Sequence, residues 1–322
     1  MTSFCDRLSL LASHFSNNEN PSSMIQSSAT CGIIAHVCSE KRTSTPETSQ
    51  LLMNGLKILM NRGYDSAGVS MLRKNPKSGE YEIDTTKYAS ESSSTSNAIK
   101  KLEKALKKQE VGGTRIGIGH TRWATHGAKT DTNAHPHVDQ WERFSLIHNG
   151  VIHNADQFRD ELKTRGVHFQ SETDTEVIVQ LIGAYAALDK MDTLDAVRKT
   201  HNQLEGTWGI VLLDTHHPDR LIAFCNGSPL LIGIGAGEMF IASESSAFSQ
   251  FTKSYIPLED GEIVVITSDG HSLSQSRVEL AQEETVKTSP DPYPHWTIKE
   301  IEEQPAAISR ALNYGGRIAN DH

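Results

Sequence analysis

Four segments of this sequence concentrate residues whose side chains suit the cleavage of an amide. They are Cys31 and residues 120–127 (HTRWATHG), 133–137 (NAHPH) and 148–150 (HNG). An amide is a poor electrophile, so its cleavage calls for a thiol nucleophile, a base that titrates near the working pH, and donors aimed at the developing oxyanion. Cys31 is the candidate nucleophile, because the glycine after it lets a substrate carbonyl approach without meeting a side chain. Taken alone, Cys31 also fits a buried structural cysteine at the start of a strand.

Asn149 and Gly150 are the candidate donors for the oxyanion. Asn149 offers a side-chain amide and Gly150 offers a backbone N–H, and a glycine turn can aim the two donors together. The same dipeptide is also an ordinary hairpin turn, which is its usual meaning when it stands alone. The dipeptide indicates a catalytic role only through its position in the series of motifs.

The ordered series of motifs resembles one family, the glutaminase domain of glutamine:fructose-6-phosphate aminotransferase (isomerising), also called glucosamine-6-phosphate synthase. The matching segments are Cys31-Gly-Ile and residues 62–68, 120–127, 133–137, 148–150, 171–176, 227–230, 240–243 and 299–305. Other class II amidotransferases share the cysteine start and the Asn-Gly pair. The segments RGYDS and RWATH point to the aminotransferase instead.

The resemblance implies that Cys31 attacks with its own α-amino group as the base. The reference pKa of an α-amino group is about 7.7 to 8, close to the working pH, so this group can take the thiol proton directly or through water. The amine is free only if the Thr30–Cys31 bond is cleaved. If residues 1–30 stay attached, the amine is locked in a peptide bond and the base is lost.

The resemblance also implies how glutamine is held. Arg122 grips the α-carboxylate with two parallel N–H donors, and Asp174 holds the α-ammonium. Thr125 and His126 line the pocket, and Trp123 gates an ammonia channel. Considered alone, three of these residues have a plainer alternative role: a helix N-cap for Asp174, a structural role for His126, and packing for Trp123.

No metal and no cofactor are expected. The histidines near the motifs are His120, His126, His135, His137, His148 and His153. No pair of them has the i, i+4 helical spacing, with a third ligand, that is typical of a zinc site.

Composition narrows the class of protein. The chain has 322 residues and a net charge of −9, which argues against a nucleic-acid or anionic-membrane partner. No apolar run reaches the roughly 18 residues that a transmembrane helix needs. The 4 cysteines are too scattered for a disulfide framework. A reducing cytoplasm fits best, because it keeps a catalytic thiol free.

Three regions are predicted along the chain. Residues 1–30 form a leader or propeptide, and residues 31–284 form a glutamine amidotransferase type 2 domain. Residues 285–322 form a linker and the start of a helix that leads, in the family, to sugar-isomerase domains. Synthesis of glucosamine 6-phosphate would then need a separate fructose-6-phosphate-binding synthase subunit. The alternatives are a non-catalytic glutamine-binding or regulatory module and an inactive gene fragment.

Hydrophobic periodicity predicts the elements that position these residues. Helices are predicted over residues 46–61, 99–106, 154–166 and 298–312, and from Asp174 onward. Asn154 and Gln157 predict a capping box for the third of these helices. Strands are predicted over residues 31–37, 68–72, 81–88, 115–119, 144–148, 208–213, 221–225, 230–234, 239–242, 255–257 and 262–267. Many strands with grouped helices indicate an α+β fold, and the resemblance implies the four-layer αββα sandwich of N-terminal nucleophile hydrolases.

Overall fold

The computed structural model describes residues 31–40, 47–62, 65–90, 96–108, 114–122, 128–273, 277–280, 292–295, 298–299 and 301–304. Its strands are β1 (Gly32–Cys38), β2 (Ser66–Lys74), β3 (Tyr81–Ala89), β4 (Ile116–Arg122), β5 (His137–Val138), β6 (Phe144–Ile152), β7 (Gly206–Asp214), β8 (Arg220–Asn226), β9 (Leu231–Ile234), β10 (Glu238–Ala242), β11 (Ser254–Pro257), β12 (Ile263–Thr267), β13 (Gly270–His271) and β14 (Glu279–Leu280). Its helices are α1 (Thr48–Ile58), α2 (Ser96–Lys108), α3 (Ala155–Thr164), α4 (Asp174–Ala187) and α5 (Thr193–Gln203), with short 3-10 turns at Leu59–Arg62 and Ser245–Ala247.

The strands form two antiparallel sheets. The larger sheet has eight strands in the spatial order β14-β11-β9-β10-β1-β4-β2-β3, and the smaller sheet has six in the order β13-β12-β8-β7-β6-β5. Helices α1 and α2 cover the outer face of the larger sheet, and α3, α4 and α5 cover the outer face of the smaller one. The inner faces of the two sheets pack against each other, so the fold has four layers.

Strand β1 illustrates how the sequence produces these layers. Successive side chains of a strand point to opposite faces. Ile33 and Ala35 therefore lie in the core between the sheets, while Ile34 lies in the outer core beside Leu56 of α1. Both faces are buried, which explains why the strand is apolar apart from His36. The predicted four-layer αββα sandwich is confirmed.

The predicted elements are present, but some of their ends differ. The first helix begins at Thr48, with Glu47 as an N-cap that makes no side-chain capping bond, and its last turn is a 3-10 turn. The prediction of a capping box at Asn154 is wrong, because its side chain makes no capping hydrogen bond. The Asn154 amide instead donates to the Gln203 carbonyl at 2.8 Å and accepts from the Glu205 N–H at 3.1 Å. It therefore joins the start of α3 to the start of β7.

Helix α5 was not predicted from the sequence. Its buried stripe is narrow and contains small or polar residues, namely Thr193, Ala196, Val197 and Thr200. The available signal was Asp192, whose carboxylate accepts the Leu194 N–H at 2.8 Å as an N-cap. A short stripe with little apolar area gives only a weak hydrophobic periodicity, and the sequence therefore does not predict this helix.

The predicted C-terminal helix agrees with the part of it that the structure describes, since residues 298–299 and 301–304 are helical. Within the described ranges, none of the helices combines the length and the apolar character needed to cross a bilayer.

Candidate active site

The alternation of strands β4 and β6 brings the catalytic candidates together. On β4, Ile118 lies in the core between the sheets, and Arg122 shares its face. On β6, Ile147 lies in the same core, and Asn149 shares its face. Because the two strands belong to opposite sheets, Arg122 and Asn149 lie on the facing walls of the sandwich.

Cys31 lies at the same end of the sandwich. It immediately precedes β1, whose first residue, Gly32, pairs with Thr121 of β4. Cys31 is partly exposed and is a thiol, not half of a disulfide. A Cβ on Gly32 would lie 2.6 Å from Thr121 Oγ1 and 2.8 Å from Leu59 Cβ. The glycine beside the nucleophile is therefore also required by the packing of its own strand.

Asn149 connects directly to the candidate nucleophile. Its Nδ2 donates to the Cys31 carbonyl oxygen at 2.8 Å, and its Oδ1 lies 3.0 Å from Nε2 of His120. Asn149 and Gly150 lie within β6, paired with Gly209 and Trp208 of β7. The hairpin-turn alternative for this dipeptide is therefore wrong.

Gly150 has a backbone that other residues rarely adopt. Its φ is +132°, and a Cβ there would lie 2.0 Å from the Thr207 carbonyl oxygen on the neighbouring strand. Both the backbone angle and the close approach require glycine. The backbone of Gly150 is thereby fixed directly after Asn149 in β6.

Arg122 lies in an electrostatic cluster with the residues predicted to surround glutamine. It is buried, and burial lowers the pKa of its guanidinium. The negative charges of Cys31, Asp174 and Asp65 act in the opposite direction. Cys31 and Asp174 therefore each lie within electrostatic reach of Arg122.

Asp174 is the first residue of α4. Thr173, and not Asp174, is the N-cap, because the Thr173 hydroxyl accepts the Glu176 N–H at 3.2 Å. The N-cap alternative for Asp174 is therefore wrong. Its carboxylate instead accepts the N–H of Ile152 at 2.9 Å. This bond joins the start of α4 to the end of β6, just beyond Gly150.

Four buried histidines connect the strands behind this cluster. His135 Nδ1 lies 3.2 Å from His120 Nε2, His137 Nε2 lies 3.1 Å from Thr173 Oγ1, and His148 Nδ1 lies 3.0 Å from Thr175 Oγ1. Burial lowers the pKa of all four, and that of His120 falls to about 3. They are therefore neutral at physiological pH. Among the described residues, no group of three or more potential ligand side chains is arranged to hold a metal ion.

Lys87 supports the segment that carries His135 and was missed by sequence reasoning. Its Nζ donates to the carbonyls of Thr132, Ala134 and Pro136 at 3.3, 2.7 and 3.0 Å. Burial lowers the pKa of Lys87 to about 8. A single lysine in a polar strand carries no sequence signal for this role, because its acceptors are backbone carbonyls that any residue supplies.

The remaining predicted site residues, Trp123, Thr125 and His126, lie outside the described residues. Their predicted positions around the pocket stay predictions.

Known proteins that are similar to this chain include glutamine amidotransferases. Residues 120–250 match a family model described as a glutamine amidotransferase domain. The chain is 38% identical over 296 residues to a glutamine–fructose-6-phosphate aminotransferase (isomerizing) of Bacteroides thetaiotaomicron, covering 89% of this chain and 45% of that protein. It is 39% identical over 289 residues to the enzyme of the same name from Aquifex aeolicus, covering 88% and 45%. The chain thus spans less than half the length of these relatives.

Solved structures share the fold. A glutamine phosphoribosylpyrophosphate amidotransferase from B. subtilis superposes with a TM-score of 0.58 at 23% identity, over 79% of this chain and 50% of that one. An allosteric regulatory enzyme of purine biosynthesis superposes with a TM-score of 0.60 at 24% identity, over the same shares. These solved structures show the fold alone, whereas the family model and the curated relatives show that the chain carries a glutamine amidotransferase domain similar to the one in the isomerizing glutamine–fructose-6-phosphate aminotransferases.

Proposed function

We propose that this chain hydrolyses glutamine to glutamate and ammonia, with Cys31 as the nucleophile. The observation that carries the proposal is the convergence of Cys31, Asn149 and Arg122 at one end of the sandwich. The Asn149 amide bonds the Cys31 carbonyl at 2.8 Å, and Arg122 is electrostatically coupled to Cys31. A thiol and an oxyanion donor suit the cleavage of an amide, and a buried guanidinium suits the binding of an α-carboxylate.

The reaction follows from the chemistry of these groups. The Cys31 sulfur attacks the γ-carboxamide carbon, and its proton passes to the α-amino group of the same residue. The tetrahedral oxyanion accepts hydrogen bonds from Asn149 Nδ2 and the Gly150 N–H. The C–N bond then breaks, the α-ammonium returns the proton to the leaving ammonia, and water hydrolyses the γ-glutamyl thioester. This route requires that residues 1–30 are removed.

We assign glutamine recognition to two charged side chains. The Arg122 guanidinium binds the α-carboxylate, and the Asp174 carboxylate binds the α-ammonium. The predicted roles of Thr125 and His126 in the glutamine pocket, and of Trp123 at the ammonia channel, remain part of this proposal. The electrostatic coupling between Arg122 and Asp174 supports the pairing of their roles.

The names of the curated relatives suggest the purpose of the ammonia. We propose that it aminates fructose 6-phosphate to glucosamine 6-phosphate, a step that leads towards UDP-N-acetylglucosamine. The relatives extend well beyond the matched region, so the sugar-binding part is supplied by a synthase subunit or domain outside residues 31–284. The cytoplasm suits this role, because a reducing compartment keeps the Cys31 thiol free.

The first experiment combines the intact mass of the purified chain with its glutamine-dependent release of glutamate. We expect a mass that starts at Cys31, and turnover that Cys31→Ala abolishes. Cys38→Ala is the matched control, because Cys38 is also a partly exposed thiol but lies at the opposite end of β1. A chain that keeps residues 1–30 and shows no turnover would favour the non-catalytic glutamine-binding module instead.

Arg122→Lys tests glutamine recognition separately from the chemistry. Lysine keeps the charge but loses the two parallel donors, so we expect KM for glutamine to rise about tenfold or more while kcat changes little. Steady-state kinetics of the processed chain measure both constants. An unchanged KM would remove Arg122 from the glutamine site.

A further inference from the structure

We propose that His120 is a positioning residue that fixes the orientation of the Asn149 amide, so that its N–H and not its oxygen faces the oxyanion. The proposal rests on the proposed function. The Nε2 atom of His120 lies 3.0 Å from Asn149 Oδ1 and 3.1 Å from the backbone carbonyl oxygen of His148.

Two backbone carbonyls determine where the protons lie. A backbone carbonyl oxygen only accepts hydrogen bonds. Its position is unambiguous, whereas the nitrogen and oxygen of a side-chain amide can be exchanged by a flip. The His148 oxygen therefore requires a proton on His120 Nε2. The Cys31 oxygen, 2.8 Å from the other end of the Asn149 amide, requires the NH₂ group there. The Asn149 oxygen then faces the protonated His120 Nε2, and the whole chain of bonds is consistent.

The alternative proton placement would break this chain. With the proton on Nδ1, the lone pair of His120 Nε2 would face two acceptor oxygens. Relief of that repulsion would turn the Asn149 amide and bring its oxygen towards the reacting carbonyl. Nδ1 of His120 is buried and has no hydrogen-bond partner among the described residues, so nothing described there draws the proton away from Nε2. With the proton on His120 Nε2, the Nδ1 atom of His135, 3.2 Å away, faces it with a lone pair.

Burial also keeps His120 uncharged. The pKa of His120 is lowered to about 3, chiefly because burial disfavours the cation. His120 therefore stays neutral, with the proton on Nε2, over the pH range in which a thiol hydrolase works. An Asn149 amide held in this way is ready for the oxyanion before the substrate arrives, which is the condition under which such donors are most effective.

A matched pair of variants tests the proposal through glutamate release. The amide nitrogen of glutamine can occupy the place of His Nε2, whereas that of asparagine reaches only the place of Nδ1. We expect His120→Asn to lower kcat about 100-fold with KM nearly unchanged, and His120→Gln to recover most of that loss. The proposal is overturned if both variants keep the wild-type kcat, or if both lose kcat equally while KM rises.

A second measurement keeps the test independent of activity and of variant folding. Nitrogen-15 NMR of the wild-type chain with labelled histidine reports the tautomer directly, and we expect His120 to be neutral and protonated at Nε2 throughout the neutral range. An Nδ1-protonated ring, or one that becomes a cation near neutral pH, overturns the proposal. Wild-type protein without Cys31-dependent turnover is a different result: it defeats the proposed function, whatever the tautomer of His120.

Discussion

At the scale of single residues, the candidate site depends on positions where only one side chain fits. Gly150 combines a φ of +132° with an approach to the Thr207 carbonyl that leaves no space for a Cβ. Asn149 needs an amide, because it must donate to the Cys31 carbonyl and accept from His120. An aspartate at position 149 would lack the donor, and a leucine would lack both groups.

Gly150→Ala should therefore damage both stability and activity. The strained backbone alone costs about 1–3 kcal/mol, and the 2.0 Å contact with the Thr207 oxygen forces β6 away from β7. We expect a loss of unfolding free energy above that range and a fall in kcat of about 100-fold or more. Urea unfolding and glutamate release measure the two effects.

Gly79→Ala is the matched control for this prediction. Gly79 has a φ of +76°, but a Cβ there meets nothing within 4 Å. Its substitution should cost only the backbone strain and leave turnover unchanged. Equal losses in the two variants would contradict the role of the Thr207 contact.

At the scale of elements, the start of α4 organises one wall of the site. Thr173 caps the helix, and its hydroxyl also lies 2.9 Å from Ser171 Oγ and 3.1 Å from His137 Nε2. The next residue, Asp174, bonds the Ile152 N–H at the end of β6. The cap therefore links the start of α4 to the position of the Asp174 carboxylate, which we propose binds the α-ammonium of glutamine.

Thr173→Ala should weaken both the helix and glutamine binding. Loss of an N-cap typically costs about 1 kcal/mol, with a range up to about 2. Because Asp174 follows the cap directly, we expect KM for glutamine to rise several-fold as well. Thermal or urea unfolding and steady-state kinetics test the two parts.

Asp192→Ala separates capping from site geometry. Asp192 caps α5 through the Leu194 N–H at 2.8 Å and takes no part in the site. Its loss should cost a similar free energy of unfolding without a change in KM. A rise in KM in this variant too would mean that the kinetic effect of Thr173→Ala reflects general destabilisation.

At the scale of the whole molecule, the buried histidines make the fold sensitive to acid. His120, His135, His137 and His148 have a lowered pKa in the folded state, because burial disfavours their charged forms. The unfolded chain therefore binds more protons than the folded one below a pH of about 6.5. Their contribution to stability is present above this pH and is lost as the pH falls.

The free energy of unfolding should decrease by at least about 2 kcal/mol between pH 7 and pH 5, which is the effect of a single histidine held fully neutral. Asp139 acts in the opposite direction, because burial raises its pKa to about 6 and favours the folded state in acid. One carboxyl group does not offset four histidines. Urea unfolding at several pH values measures the slope.

His135→Gln provides the comparison for this prediction. Glutamine does not titrate, so a variant that folds should show a shallower dependence on pH than the wild type. A wild-type stability that is flat between pH 7 and pH 5 would mean that these histidines become protonated without unfolding the protein.

The sequence by itself determined the family resemblance, the α+β class of the fold and the identity of Cys31, Arg122, Asn149, Gly150 and Asp174 as candidates. These conclusions depend on residue types and on local periodicity, which the chain carries directly. The strands were predicted for the same reason, because apolar side chains must alternate or fill both faces wherever a sheet is buried. The family resemblance supplied the layers, which periodicity alone would not have produced.

Only the tertiary structure decided what each polar side chain contacts. Asn149-Gly150 proved to be part of a strand and not a hairpin turn, Asn154 proved to join α3 to β7, and Thr173 replaced Asp174 as the cap. The carbonyl acceptors of Lys87 and the partners of His120 also appeared only in the fold. The physical reason is that hydrogen bonds depend on distances and angles between residues far apart in the chain, and no local pattern encodes them.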